Sequence, residues 1–421
     1  MPDYPPVTPI ILSVVLGAAI LGLVFWRRRG DRKILAYVGC YTLPRQADPF
    51  ADLGGVPHDD KPIGSGVVCL EVGQDGAMRN LGTVTSNLTN PSYILVDGRK
   101  NLFTVSESAE FGSKDSGTGG VAWWRLSDVP GGEAELVLSG KSGGGYPCML
   151  SLTRSFKLLV CNYGGSLSSF QVGSGSSEPP VRSQTWKHDQ VLQHEGSSVD
   201  ADRQEAAHVH SAVIHPHRDL VFVSDLGTDE VVSYSLGSES KLRRLHSFKA
   251  PPGSGPRHMA INPVKTDFAV VICEMSGLVI PLRITNDEGE LAKAGPAVEI
   301  YPPSWPREGG EAVAHFNQGR WAADVCWSPN GKFCYASARL MNTIVVFELE
   351  DDGGVLSERQ RISSGGLTPR SISLTPDGSL LLVAHQHSHD VTSFRVSLLN
   401  GELTSTGHSA HVPCASCVKI S

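Results

Sequence analysis

Arg257 stands at the head of one apolar run, "PRHMAINP", and Glu274 at the foot of the next, "FAVVICEMSG". Charges among β-forming residues cost free energy unless they are paired or used. The same arrangement recurs along the chain. His208 and His210 precede a run that ends at Asp225, Asp324 is followed by Arg339, and Arg370 by Gln386. Glu107 and Asn162 close two earlier runs. Histidine titrates near neutral pH and can pass a proton. A planar guanidinium holds a carboxylate or phosphate through two parallel hydrogen bonds. Proton transfer on a bound organic anion is the chemistry this set could perform.

Six segments share one grammar: a small residue or Pro, an alternating apolar run, a turn, a second run, a polar tip and a third run. They begin at "NPSYILVDG", "YPCMLSLTR", "HVHSAVIHP", "PRHMAINPV", "AADVCWSPN" and "PRSISLTPD", about 46 to 67 residues apart. That period and the turn chemistry predict propeller blades of four strands each. Two strands remain, "ILAYVGCYT" near the start and "SCVKI" at the end. Joined in one sheet they make a seventh blade and remove two open edges. The chain over 34–421 is therefore expected to be an all-β, seven-bladed propeller. An eight-bladed ring, with an extra blade from 46–85 or 280–320, is the alternative.

Adjacent strands run antiparallel, so the start of an inner strand and the end of the second reach the same rim of the central channel. His208 and His210, two apart on a strand, are expected to share a face. The long polar stretch 173–204 runs straight into "HVHS" and could fold over the mouth as a lid, its first half reading as a surface insertion. Residues 301–321 could do the same.

The first 33 residues differ. Residues 9–26, "PIILSVVLGAAILGLVFW", carry no charge, and "RRRGDRK" follows at once. As a helix they span roughly 27 Å, enough for a hydrocarbon core. The expected order is a short tail (1–8), a transmembrane helix (9–26), a basic linker (27–33) and the propeller. The basic cluster behind the span predicts a single-pass protein with a cytosolic propeller. A cleaved signal peptide, and so a secreted or luminal propeller, is the alternative.

The chain has 421 residues, 45 Gly, 27 Pro and a formal charge of −7. With no basic surplus to neutralise phosphates, a nucleic-acid partner is not expected. Nine cysteines follow no disulfide spacing, and most lie in apolar runs where Cys acts as a small hydrophobe. Cys414-x-x-Cys417 has no second pair to complete a zinc site. His385, His387 and His389 alternate in "HQHSHD", but at a turn, and read as a solvated tip. No metal is expected, and nothing sets an oligomeric state.

"YVGCYT", "VCNYGGSLSSFQV", "RQEAAHVHSAVIHP", "GPRHMAINP" and "TPRSISLTPDGSLLLVAHQ" resemble the lactonase family of seven-bladed propellers, motif after motif over residues 34–421. That family includes bacterial-type 6-phosphogluconolactonase and fungal 3-carboxy-cis,cis-muconate cyclase. The resemblance implies opening of a small anionic sugar lactone, or closure of a carboxylated muconate, without metal or organic cofactor. It implies a site of His210 or His208, Glu274, Arg257 and Arg339. The rim would add Asp324, Arg370, Gln386, Glu107 and Asn162. His210, His208 or Glu274 would handle the proton, and Arg257 and Arg339 would hold the anion. Asp324, Ala338 and His385 stand where the family usually has Glu, Asn and Asn. A non-catalytic, membrane-tethered scaffold is the reading from another class.

Overall fold

Alternating apolar runs bury one residue in two against each neighbouring sheet, so every blade is a strongly twisted antiparallel meander. The structure, a computed structural model, describes residues 34–43, 64–85, 87–114, 116–172, 186–237, 241–302, 304–305, 320–350 and 354–421. They form seven sheets. The inner strands are Ile94–Val96, Pro147–Leu152, Val209–Ile214, Pro256–Ile261, Ala322–Trp327, Pro369–Leu374 and Ala415–Ile420. The expected transmembrane helix and basic linker lie outside the described residues. Among the described residues no helix is long and apolar enough to cross a membrane.

The ring closes as the sequence predicts. Ile34–Cys40 pairs antiparallel with Ala415–Ile420, with Ala36 opposite Ile420 and Val38 opposite Val418. Val67–Val72 and Met78–Thr85 complete that blade. The eight-bladed alternative fails, because residues 67–85 are outer strands of the closing blade. Likewise Leu278–Ile284, Leu291–Lys293 and Val298–Glu299 complete the sheet of Pro256–Ile261. Ile34–Cys40 is the second strand of that blade.

Between blades the sheets meet through wholly buried side chains, such as Phe103, Leu150, Leu158 and Phe170 between the first two. All nine cysteines are free thiols, and Cys414 and Cys417 are buried.

One irregularity recurs on the inner strands and positions the mouth. Pairing slips between Pro147 and Met149, Val209 and Ser211, Pro256 and His258, Ala322 and Val325, and Pro369 and Ser371. In the closing blade the slip lies opposite Ser416. Each is a β-bulge, which leaves its extra residue unpaired and re-aims the side chain. The bulged residues are Cys148, His210, Arg257, Ala323 with Asp324, Arg370 and Ser416. Cys148, Arg257, Arg370 and Ser416 of this set line the channel cavity.

Gly255, just before the bulge at Arg257, has φ of 64° and donates its N–H to Asp229 Oδ1 at 2.7 Å. A Cβ there would meet Met275 Cγ at 2.8 Å. Gly255→Ala is expected to lower stability by about 1–3 kcal/mol in urea titration; an unchanged midpoint would contradict this.

Candidate active site

Arg257 and Glu274 do meet, since Pro256 pairs with Cys273 in register. Arg257 Nε donates to Glu274 Oε2 at 2.7 Å. Glu274 is more crowded than the sequence suggests. Arg339 Nη2 lies 2.7 Å from the same oxygen, and Arg203 Nη2 donates to Oε1 at 2.7 Å. Burial, the largest influence, pushes the carboxyl pKa up, but Arg339, Arg203 and Arg257 together outweigh it. Glu274 is left well below the usual carboxylate range. It is a fixed anion inside a guanidinium cage and a poor general acid.

The cage restricts its arginines as well. Arg339 also donates to the carbonyls of Trp321 and Ala322, each at 3.1 Å. Arg257 Nη1 donates to Ala323 O at 2.8 Å and to His258 Nε2 at 3.0 Å. The pair expected to hold the substrate anion is largely occupied in holding Glu274 and the backbone.

His258 was not singled out from sequence, yet it ties two blades together. Its Nδ1 is 2.8 Å from Asp324 Oδ1. Because a guanidinium can only donate, Nε2 accepts and Nδ1 carries the proton that Asp324 receives. Burial first, then Arg257, brings the His258 pKa down to about 4, so the ring is neutral at pH 7. Asp324, also accepting from the N–H groups of Val325 and Ile372 at 3.0 Å, stays below its ordinary range against burial. Asp324 thus acts through His258 on Arg257 and is a positioning residue. Asp324→Asn is expected to lower kcat/KM about 10- to 100-fold through loss of charge-assisted hydrogen bonds. The ¹⁵N shifts of His258 should then lose the pure Nδ1–H pattern; retention of that pattern would contradict the role.

The two histidines of "HVHS" separate. The bulge breaks the two-residue period, so they do not share one environment. His208 stacks on Tyr163 at 4.2 Å, with Nδ1 2.8 Å from Tyr163 O and Nε2 3.1 Å from Glu205. Both its nitrogens are engaged. His210 lies 5.3 Å from the His258 ring, centroid to centroid, and its buried Nδ1 meets no hydrogen-bond partner among the described residues. Burial first, then Arg257 and His258, hold its pKa well below the ordinary imidazole value. Of the three mouth histidines, His210 is the one with a ring nitrogen to offer.

Across the channel, Arg370 donates to Tyr41 Oη at 2.8 Å and to Gln386 Oε1 at 3.3 Å. Tyr41 donates to Glu107 Oε2 at 2.8 Å, and Ser92 donates to the same oxygen. Arg370, Gln386 and Glu107 therefore belong together, joined by Tyr41 and Ser92. Asn162 does not join them: its amide donates to Ser166 and Ser168 inside its own blade. Asp225 likewise serves as a brace, accepting from His194 at 2.8 Å and from the N–H of His208.

A narrow channel cavity of about 10 Å³ lies between these groups, lined by Ser92, Glu107, Cys148, Arg257, His258 and Arg370 among others. A wider cleft of about 560 Å³ is lined by Asp200, Asp202, Ser276, Glu299 and Arg320. Its lining includes no histidine.

The lid expectation extends over residues 173–204, of which 173–185 lie outside the described residues. The described part reaches the mouth. His194 is bound to Asp225, Ser198 donates to Asp229 at 2.6 Å, and Gln204 donates to Leu226 O at 2.8 Å. The end of 301–321 also arrives there, with Trp321 lying under Arg203 at 4.5 Å and Arg339 at 5.1 Å. The "HQHSHD" tip is not simply solvated. His385 is wholly buried 3.0 Å from Asp390, while Thr368 and His387 share a hydrogen bond and His389 accepts from the N–H of Cys414. Among the described residues no group of His, Cys, Asp and Glu could hold a metal ion.

Seven blades around a guanidinium-rich mouth, where His210 keeps a ring nitrogen with no hydrogen-bond partner among the described residues, define a propeller with a candidate site at one end of its channel. The chain belongs to the lactonase family of seven-bladed β-propellers, whose description, "Lactonase, 7-bladed beta-propeller", matches residues 36–420. The 6-phosphogluconolactonase of Bacillus subtilis (strain 168) is 26% identical over 391 residues, covering 92% of this chain and 98% of that protein. The 6-phosphogluconolactonase of Formosa agariphila is 27% identical over 353 residues, 82% and 92% of the two chains. Among solved structures, the periplasmic gluconolactonase of Pseudomonas aeruginosa superposes with a TM-score of 0.75 at 24% identity, covering 92% and 99%. That last likeness speaks for the fold.

Proposed function

We propose that this protein hydrolyses a small anionic sugar lactone at the channel mouth, with a 6-phosphogluconolactone as the first substrate to try. The observation that carries the reading is the neutral His210 ring, 5.3 Å from that of His258, which lines the channel cavity together with Arg257 and Arg370. His210 takes a proton from water as its oxygen bonds to the lactone carbonyl carbon. Arg257 and Arg370 face the oxyanion that forms. The ring C–O bond then breaks, and the imidazolium returns the proton to the ring oxygen. Glu274 and Asp324 keep the arginines in place. The family and the names of the relatives favour hydrolysis over cyclisation. The test is acid release in a pH-stat by the full chain in detergent, against phosphorylated, carboxylated and neutral lactones. Turnover of an anionic lactone, lost in Arg257→Ala, supports the reading; a folded protein inert to all of them refutes it.

We propose further that residues 9–26 tether the propeller to a membrane, with the propeller in the cytosol. The uncharged run and the basic cluster behind it support this. Recovery of the protein in the carbonate-washed membrane fraction is expected; release into the wash would refute it.

A further inference from the structure

Arg203 differs in kind from the other two arginines on Glu274. The side chains of Arg257 and Arg339 are 3% and 2% exposed, and both are also tied to main-chain carbonyls. Arg203 keeps 24% of its side chain exposed. Beyond Glu274, its guanidinium meets side chains alone among the described residues: the Tyr163 hydroxyl at 3.3 Å and the face of Trp321. The segment that carries it is fastened at His194, Ser198 and Gln204, and Asp200 Oδ1 accepts from the N–H of Arg203 itself. The backbone is held, and the long stem is the part free to swing.

A guanidinium binds phosphate with the same fork it offers a carboxylate, so exchanging one for the other leaves its donors satisfied. Glu274 can release Arg203 without becoming an unpaired buried charge, because Arg257 and Arg339 remain on Oε2.

We propose that Arg203 is the receptor for the anionic group of the substrate: a phosphate or carboxylate entering the mouth draws its guanidinium off Glu274 Oε1, so that charged lactones are selected over neutral ones. This rests on the lactonase reading above. It assigns substrate choice to a residue outside the blades, while the strand-borne arginines keep the reacting end in place.

The test compares kcat/KM for a phosphorylated, a carboxylated and a neutral lactone of one ring size. The full chain is used as wild type, Arg203→Gln and Arg203→Lys. In Arg203→Gln the preference for the selected anionic lactone over the neutral one is expected to fall about 10- to 100-fold, mainly through KM. Arg203→Lys should recover part of it. Which anionic lactone shows the loss tells phosphate from carboxylate. An unchanged preference in an active Arg203→Gln enzyme overturns the inference and leaves the lactonase reading intact. Should the wild type turn over no lactone, that reading fails first. Calorimetric binding of 6-phosphogluconate then decides the anion role, with equal binding by wild type and Arg203→Gln overturning it.

Discussion

Glu274→Gln is expected to destabilise the protein by about 3–5 kcal/mol, among the largest effects of any single change at the mouth. The carboxylate is 4% exposed and meets three guanidiniums at 2.7 Å. Glutamine keeps the shape and removes the charge, so Arg257 and Arg339, themselves buried, face each other uncompensated. The sign with pH follows from the depressed carboxyl pKa. A group whose pKa is lower folded than unfolded stabilises the fold above its unfolded value and ceases to as pH falls through its folded value. The gap between wild type and Glu274→Gln should therefore be full near pH 7 and close only in strong acid. Urea titrations at several pH values measure it. A gap under about 1 kcal/mol at pH 7 would mean that the cage relaxes or fills with water.

His210→Gln is expected to lower kcat about 10²- to 10⁴-fold while the protein stays folded, as loss of a positioned proton acceptor does. The other mouth histidines cannot substitute, since Tyr163 and Glu205 engage His208, and Arg257 and Asp324 engage His258. The pH profile carries a second signature. Burial and Arg257 hold the His210 pKa below the ordinary value. The basic form thus persists as pH falls through 6.5, and the acid limb of kcat should lie well below that point. A limb near 6.5, or an active His210→Gln enzyme, would move the proton-transfer role elsewhere.

These two residues also mark how far sequence can carry a reading of this chain. The blade repeat, the closing sheet and the rim position of Arg257 with Glu274 follow from period-two patterning and antiparallel pairing, which are local. What the pattern could not provide is the bulge. One extra residue, invisible in composition, sets His210 beside His258 and leaves His208 stacked on Tyr163. Asn162 looked like a rim residue by register, yet its amide nitrogen donates to serine hydroxyls of its own blade, while its Oδ1 meets no hydrogen-bond partner among the described residues. Arg203 was hidden for another reason. It sits in a connection without periodicity, and its partner lies 71 positions away. The signal that could have found it is the arginine in "RQEAAHVHS", five residues ahead of His208 in a stretch expected to cover the mouth. Arg257 and Arg339 seemed available to a ligand because the sequence gives no count of the carbonyls that converge on them.

If water adds to a lactone carbonyl at this mouth, ring opening in H₂¹⁸O must carry the label into the product acid. The full chain is given an anionic lactone, and the product acid is weighed by mass spectrometry against an enzyme-free control. Enzyme-dependent entry of one ¹⁸O, located in the carboxylate, is expected, together with its loss in His210→Gln. No enzyme-dependent label, or label in the sugar hydroxyl, would contradict it.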